Sequence, residues 1–126
     1  MPPIGQQITF LYVSDLHRSA GFYGGTLGLE MVLDQGDCRI YRVGGDAYLG
    51  ICERTGDHAT SGMLLTLVTD EVDDWHERLV EAGVTVEQAP ATNDTYRIRH
   101  AFYRDPDGHR VEVQRFDDPD WSGTPG

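Results

Sequence analysis

The sequence predicts an α+β fold made of two successive copies of a βαβββ unit. Three observations support this prediction. A strand pattern followed by a helix pattern occurs twice. A shift of 55 residues superposes Val13 on Val68 and Gly28 on Gly83, so a strand and a helix end match together. Each helix pattern is followed by three short β-rich runs. Because one helix covers only one face of a small sheet, the other face of each sheet should border a cleft.

The first copy covers residues 7–53. Residues 8–13 are rich in β-branched and aromatic side chains and predict a strand. Ser14 and Asp15 can cap a helix that runs to about Leu27, and runs at 29–34, 38–43 and 47–53 predict three further strands. Strand alternation directs Leu11 and Val13 toward the helix. The residues of that strand predicted to face the cleft are Ile8, Phe10 and Tyr12.

A hairpin turn is predicted at Gly44-Gly45. A two-residue loop there would make Tyr41 and Tyr48 direct cross-strand neighbours. The same register would place Cys38 and Cys52 diagonally, on opposite faces of the ribbon, so the sequence predicts no disulfide between them.

The second copy covers residues 62–116. It follows a linker at 54–61 and precedes a tail at 117–126, all within a single domain spanning 1–126. In its first strand, the alternation of side chains predicts Leu64 and Val68 on the helix side and Met63, Leu65 and Leu67 on the cleft side. Asp70 is the predicted N-cap of the second helix. Runs at 84–87, 96–103 and 109–116 predict its remaining strands.

The most informative stretch runs from residue 104 to 113. Asp105-Pro106-Asp107-Gly108 is typical of a tight turn, and the strand after it alternates valines with polar residues. Val111 and Val113 share one face, which leaves Glu112 on the other. Two interpretations of Glu112 stay open, a solvated surface carboxylate or a functional group. His100, in the preceding strand, is either a hydrogen-bonded structural histidine or the acid-base partner of Glu112. His109, directly after the turn, is predicted to be exposed.

Composition narrows the possible partners. A formal charge of −11 disfavours nucleic acid and anionic membranes and favours a cationic or neutral ligand. All ten basic residues are arginines, which excludes a lysine Schiff base. No apolar run is long enough to span a membrane, and the N-terminal residues lack the features of a signal peptide. The sequence therefore predicts a cytoplasmic protein without a nucleic-acid or membrane partner.

Three sequence motifs resemble the vicinal oxygen chelate superfamily over roughly residues 7–116. They are Val-Ser-Asp-Leu at 13–16 before a helix containing Phe22-Tyr23, Leu27-Gly28-Leu29, and Asp-Pro-Asp-Gly before Val111-Glu112-Val113. The superfamily includes glyoxalase I, extradiol dioxygenases, and the fosfomycin and bleomycin resistance proteins. The resemblance implies the glyoxalase/bleomycin resistance-like fold, with paired curved sheets around a cleft.

Metal-dependent members of that superfamily hold a divalent ion with side chains from the first and last strands of each repeat. The matching positions here are Ile8, Met63, Gly50 and Glu112. Only Glu112 has a donor side chain, and divalent ions of this type need three or more protein ligands. We therefore expect no metal and no other cofactor. The resemblance is greater to the metal-free, bleomycin resistance type.

The resemblance implies a protein that binds a small molecule in its cleft. The alternative is a metal-independent lyase or isomerase acting on a small oxygenated substrate, with Glu112 as catalytic residue and His100 or Tyr12 as its partner. Members of this size usually build each cleft from two chains, so we expect a homodimer. The residues predicted to bind the ligand are Ile8, Phe10, Tyr12, Tyr48, Gly50, Met63, Leu65, Arg99, Phe102 and Gln114.

Overall fold

The computed structural model describes residues 1–121, so residues 122–126 of the predicted tail lie outside the described residues. The chain forms two compact units, residues 1–59 and the residues from Thr60 onward. Each unit contains one four-stranded mixed sheet and one helical segment. This is the α+β architecture that the sequence predicts.

The first unit has its strands in the order β1-β4-β3-β2, with β1 parallel to β4 and the other pairs antiparallel. Helix α1 (Leu16–Ala20) continues into a π-helical segment, Gly21–Thr26. As predicted, the Asp15 side chain caps α1 by accepting from the Arg18 amide. The strands are β1 (Gln7–Val13), β2 (Glu30–Asp34), β3 (Cys38–Gly44) and β4 (Ala47–Glu53).

The second unit repeats this topology in the order β5-β8-β7-β6. Helix α2 (Val72–Glu81) has Glu71, not the predicted Asp70, as its N-cap. The Glu71 amide donates to the Thr69 hydroxyl, and the helix begins one residue later than predicted. The strands are β5 (Leu64–Val68), β6 (Thr85–Asn93), β7 (Ile98–Arg104) and β8 (Arg110–Phe116).

The two units differ by one residue inside their helical segments. The helices begin at Leu16 and Val72, 56 positions apart, whereas the glycines that follow them, Gly28 and Gly83, are 55 apart. The π-helical segment accommodates the extra residue, since the Leu27 amide donates to the Phe22 carbonyl, five residues back. The first strands and the helix starts of the two units therefore correspond at a shift of 56 residues, and the predicted shift of 55 is correct only where the helical segments end.

This difference reverses the two faces of β5. Leu65 and Leu67 pair with Val111 and Val113, which are buried on the helix side of the sheet. The prediction that Leu65 and Leu67 face away from the helix is therefore wrong. The opposite side, which we call the open face of the second sheet, carries Leu64, Thr66 and Val68 from β5. In β1 the predicted alternation is correct, because Leu11 and Val13 are buried while Ile8, Phe10 and Tyr12 are exposed.

The β3–β4 hairpin turns at Gly45-Asp46, one residue later than predicted. Gly45 has φ 52°, and the register shifts between Arg42 and Gly44. Tyr41 consequently pairs with Leu49 and not with Tyr48. The same shift brings Cys38 directly opposite Cys52, with Cα atoms 4.1 Å apart, and the two form a disulfide. The prediction that they do not bridge is wrong because the turn lies one residue later than predicted and a bulge follows it, and the two together move the partner of Cys38 from Ile51 to Cys52.

Within residues 1–121 the longest α-helix, α2, has ten residues, and no helix there is long and apolar enough to cross a membrane.

Candidate functional site

The turn before β8 determines where that strand begins. Asp105 Oδ1 accepts hydrogen bonds from the amides of Asp107 and His109 at 2.9 and 2.8 Å. Gly108 has φ 92°, which favours glycine, as the sequence predicts. His109 is only 6% exposed, so its predicted exposure is wrong. The turn therefore holds the start of β8 firmly.

Glu112 lies two residues into β8 and is 5% exposed. Its Oε1 accepts from the Thr66 hydroxyl at 2.8 Å, and its Oε2 lies 2.6 Å from Nδ1 of His100. With its side-chain amide assigned so that the nitrogen faces the carboxylate, Gln114 donates to Oε2 at 2.9 Å and to Oε1 at 3.0 Å. We call these four residues the Glu112 cluster.

Strand pairing assembles the Glu112 cluster from three strands. Glu112 is opposite Thr66 of β5 on one side and Phe102 of β7 on the other. Gln114 is opposite His100. Because directly paired residues point to the same side of a sheet, all of these side chains lie on the open face.

The hydrogen bonds define the chemistry of the cluster. An ionised carboxylate only accepts hydrogen bonds, and three polar groups surround this one. We assign a ring proton to Nδ1 of His100, because Nδ1 faces an acceptor. Nε2 has no hydrogen-bond partner within residues 1–121. The imidazole side chain is 12% exposed.

Phe102 and Arg110 lie beside the cluster on the open face. The His100 ring meets the Phe102 ring edge-on at 4.8 Å between centroids, and the Arg110 guanidinium carbon is 4.6 Å from the Phe102 centroid. Glu87 of β6 binds both Arg110 and Arg104. The hydrogen bond from Arg110, followed by that from Arg104, lowers the pKa of Glu87 below its ordinary value.

Two predicted ligand-binding residues of the second unit lie away from this cluster. Arg99 points to the helix side, where its guanidinium binds Asp73 of α2 at 2.7 and 2.9 Å and lowers the pKa of that carboxyl. Leu65 is on the helix side too.

Met63 precedes β5, and Leu64 takes the place in β5 that Ile8 has in β1. The helix side also holds Tyr103, whose hydroxyl lies 2.7 Å from Nδ1 of His76. Burial, followed by the charge of Asp73, raises the pKa of Tyr103 to about 12.

The first unit brings its predicted residues together on the corresponding face of its own sheet. Phe10 pairs with Gly50, and Ile8 with Tyr48, whose hydroxyl accepts from Arg42 at 2.9 Å. Tyr12 pairs with Cys52 of the disulfide. The Phe10 ring lies against the Gly50 backbone while 46% of the residue stays exposed. This face is aromatic and apolar near β1.

Thr66 is the functional candidate that sequence reasoning missed. It is a polar residue within the otherwise apolar run 63–68, and that exception is the signal that identifies it. A repeat shift of 56 would have aligned it with Phe10, already predicted to face away from the helix.

Comparison with known proteins identifies the family. The sequence profile of the Glyoxalase/Bleomycin resistance protein/Dioxygenase superfamily matches residues 5–113. The chain belongs to this superfamily. The predicted family and fold class are therefore confirmed.

The chain is 27% identical over 119 residues to YraH of Bacillus subtilis (strain 168), covering 83% of this chain and 93% of YraH. It is 25% identical over 107 residues to the metallothiol transferase FosB of Staphylococcus saprophyticus, covering 80% of this chain and 70% of FosB. The crystal structure of a lactoylglutathione lyase from Agrobacterium tumefaciens has a TM-score of 0.73 and 27% identity, covering 90% of this chain and 95% of that one.

The residues present do not fit the metal site of metal-dependent superfamily members. Ile8 and Leu64 have no donor atoms, and the Glu112 oxygens are already bound by Thr66, His100 and Gln114. At Gly50 the space that a side chain would need is filled, because a Cβ atom there would overlap the Phe10 ring. Within residues 1–121, no three His, Cys, Asp or Glu side chains are grouped to hold a metal.

Replacing Gly50 with alanine tests this close contact. The added methyl should displace Phe10 and lower the free energy of unfolding by about 1 to 3 kcal/mol, the usual cost of overpacking. Phe10→Ala in the same chain should remove the clash, so chemical denaturation of the two single variants and the double variant should show strong coupling. Additive effects would contradict the contact.

Proposed function

We propose that this superfamily member binds a small neutral or cationic organic molecule on the open face of its second sheet, without a bound metal. The observation that carries the proposal is the Glu112 cluster, which presents Nε2 of His100, without a partner among residues 1–121, beside the Phe102 ring. A few oriented polar groups among apolar and aromatic side chains are typical of small-molecule sites.

The free-energy cost of burying the Glu112 carboxylate supports a binding role for the cluster. Burying a carboxylate is unfavourable unless several hydrogen bonds compensate, and here residues from three strands supply them. Apolar side chains of similar volume would fill the same space without that cost. A binding role for His100 explains why the Glu112 carboxylate is present at a buried position where it orients the His100 ring.

Metal independence rests on the donor set. With Ile8, Leu64 and Gly50 at the positions where metal-dependent relatives place ligands, Glu112 lacks the partners that a divalent ion needs. We expect less than one tenth of an equivalent of Zn, Fe, Mn or Ni per chain by elemental analysis of protein purified without chelator. One equivalent that is lost in Glu112→Gln would overturn this part of the proposal.

Native mass spectrometry followed by NMR tests the binding function. We expect the protein as purified to retain a small organic molecule, and addition of that molecule to ligand-stripped protein should shift the amide signals of Thr66, Phe102 and Gln114. His100→Ala should weaken this binding about tenfold or more. Arg99→Gln is the matched control, since it changes the neighbouring residue of β7 on the helix side and should bind as the original protein does. Equal binding by all three proteins, or shifts confined to other residues, would exclude this face.

The homodimer predicted from the family resemblance is also proposed here. Light scattering at micromolar concentration should give twice the 14.1 kDa chain mass. A monomeric mass would count against it. The cytoplasmic location stays a prediction.

A further inference from the structure

We propose that the small molecule bound on the open face is an organic ammonium ion, and that its charged group packs on the indole ring of Trp121 beside the Asp120 carboxylate. This inference rests on the proposed function and narrows its ligand class from a neutral or cationic molecule to an alkylated ammonium cation. It also makes Trp121, in the segment after the last strand, a residue that determines which ligand is accepted.

Trp121 lies at one end of the open face. Phe116, two residues after Gln114 in β8, points to the same side of the sheet as Gln114 and pairs with Ile98. The Trp121 ring is stacked on the Phe116 ring, with centroids 4.0 Å apart and planes 13° apart. Because two residues of a strand span about 7 Å, a small molecule that contacts His100 can also reach this aromatic pair.

Hydrogen bonds hold the segment that carries Trp121. The Asp117 amide donates to the Arg97 carbonyl at 2.8 Å, and Arg115 donates to the Asp117 carboxylate at 2.7 and 3.3 Å. The hydrogen bond from Arg115 lowers the pKa of Asp117. The chain then turns at Asp118, whose carbonyl accepts from the Trp121 amide at 3.1 Å. The indole ring is therefore in place before a ligand arrives, which reduces the entropic cost of binding.

The indole ring keeps a free surface for a cation. Trp121 is 50% exposed although one ring face lies against Phe116. Within residues 1–121, four other aromatic rings have an arginine guanidinium carbon 4.6 to 5.4 Å from their centroids, namely those of Tyr12, Tyr48, Trp75 and Phe102. In the same part of the chain no guanidinium lies over Trp121. Because tryptophan is the aromatic side chain that attracts cations most strongly, this ring can take a cation from outside the chain.

Asp120 supplies negative charge next to this ring. Its amide donates to the Asp118 carboxylate at 2.9 Å, but among the described residues 1–121 its own carboxylate has no hydrogen-bond or ion-pair partner. Asp117 and Asp118, by contrast, are paired with Arg115 and Arg97. The formal charge of −11 on the chain attracts cations at long range, and the unpaired carboxylate favours them at this position.

The two groups together select an alkylated ammonium ion. Its methyl or methylene groups pack on the indole ring, while its charge is attracted by the ring and by the carboxylate of Asp120. A divalent metal ion is excluded at this position, because one carboxylate does not supply the several oxygen ligands that such an ion needs.

Two probes of similar shape and different charge test this inference. Choline carries a trimethylammonium group, and neohexyl alcohol has a carbon atom in place of its nitrogen. Each is titrated into the full-length protein at constant ionic strength, and ¹H–¹⁵N NMR follows the Trp121 indole signal and the Phe116 amide signal. We expect choline to bind at least about fivefold more tightly than the neutral alcohol.

Variants separate the contributions of the ring and the carboxylate. Trp121→Leu keeps an apolar side chain without an aromatic face, so the affinities of the two probes should become equal. Asp120→Asn should weaken choline binding about twofold or more and leave the binding of neohexyl alcohol unchanged. Glu81→Gln is the matched control, since it removes a carboxylate from the exposed end of α2 and should change neither affinity. A choline preference that persists in Trp121→Leu would overturn the inference.

The molecule retained on purification distinguishes this inference from the binding function. An ammonium ion that binds at least about fivefold more weakly to Trp121→Leu supports both. A retained molecule that depends on His100 but carries no positive charge, or that binds Trp121→Leu as tightly as the original protein, overturns the inference and leaves the binding function intact. Equal affinities of the original protein for choline and neohexyl alcohol, or no shift at Trp121 with either probe, overturn it directly.

Discussion

Replacing Glu112 with alanine should lower the free energy of unfolding by about 3 kcal/mol, a large effect for a polar residue. Three donor groups, from Thr66, His100 and Gln114, lose their common acceptor at a position that is 5% exposed. A buried donor left without a partner retains the cost of its lost hydration, and removal of the carboxylate also leaves a small cavity. Urea denaturation at neutral pH measures the change.

Two variants provide comparisons for this result. Glu112→Gln keeps the shape and one acceptor oxygen, so the loss should be smaller, about 1 to 2 kcal/mol. Glu77→Ala removes a carboxylate from an exposed position of α2 and should change stability by less than about 0.5 kcal/mol. If Glu112→Ala were no more destabilising than Glu77→Ala, Glu112 would be a solvated residue, and both functional proposals would lose their basis.

Reduction of the Cys38–Cys52 disulfide should lower the free energy of unfolding by about 3 kcal/mol. The bridge closes a loop with a sequence separation of 14 residues and therefore restricts the unfolded chain. Denaturation in the presence and absence of dithiothreitol measures the difference. The Cys38→Ser/Cys52→Ser double variant is the control, because its stability should not respond to the reductant. Two free thiols in the untreated native protein would contradict the bridge.

The redox state of Cys38 and Cys52 in the cell also bears on the predicted cytoplasmic location. Disulfides persist in oxidising compartments, whereas cytosolic thiols are kept reduced by glutathione and thioredoxin. A cytoplasmic protein should therefore have mainly reduced cysteines when its thiols are alkylated at the moment of cell lysis. A fully oxidised pair under those conditions would argue against the predicted location.

Local patterns in the sequence were sufficient to predict the fold and part of the site. Alternation around Val111 and Val113 placed Glu112 on the open face, and turn chemistry at Asp105 and Gly108 placed the start of β8. The family resemblance, now confirmed by the profile match, added the topology. His100 Nδ1 lies 2.6 Å from Glu112, a contact that both interpretations of His100 allow, so its acid-base role stays a prediction.

The errors at Leu65 and at the two cysteines have a common physical cause, which is a displacement of one residue. A bulge between Arg42 and Gly44 and the π-helical segment after α1 each change the register by one position. Because side chains alternate in a strand, a shift of one residue exchanges the two faces, which misplaced Leu65 and separated the cysteines. The ion pair of Arg99 with Asp73 depends on contacts between strand and helix that strand patterns do not encode.

Phe10 opposite Gly50 in the first unit occupies the same place in the sheet as Thr66 opposite Glu112 in the second. Two copies of one topology have thus acquired different chemistry at a single matched pair of positions, an aromatic ring over bare backbone in one and a hydroxyl bound to a carboxylate in the other. Of these two matched pairs, only the one in the second unit carries an ionisable side chain. Substitutions at Phe10 or Gly50 can therefore change the shape of a sheet face without changing its charge, whereas substitution of Glu112 by a neutral residue changes both.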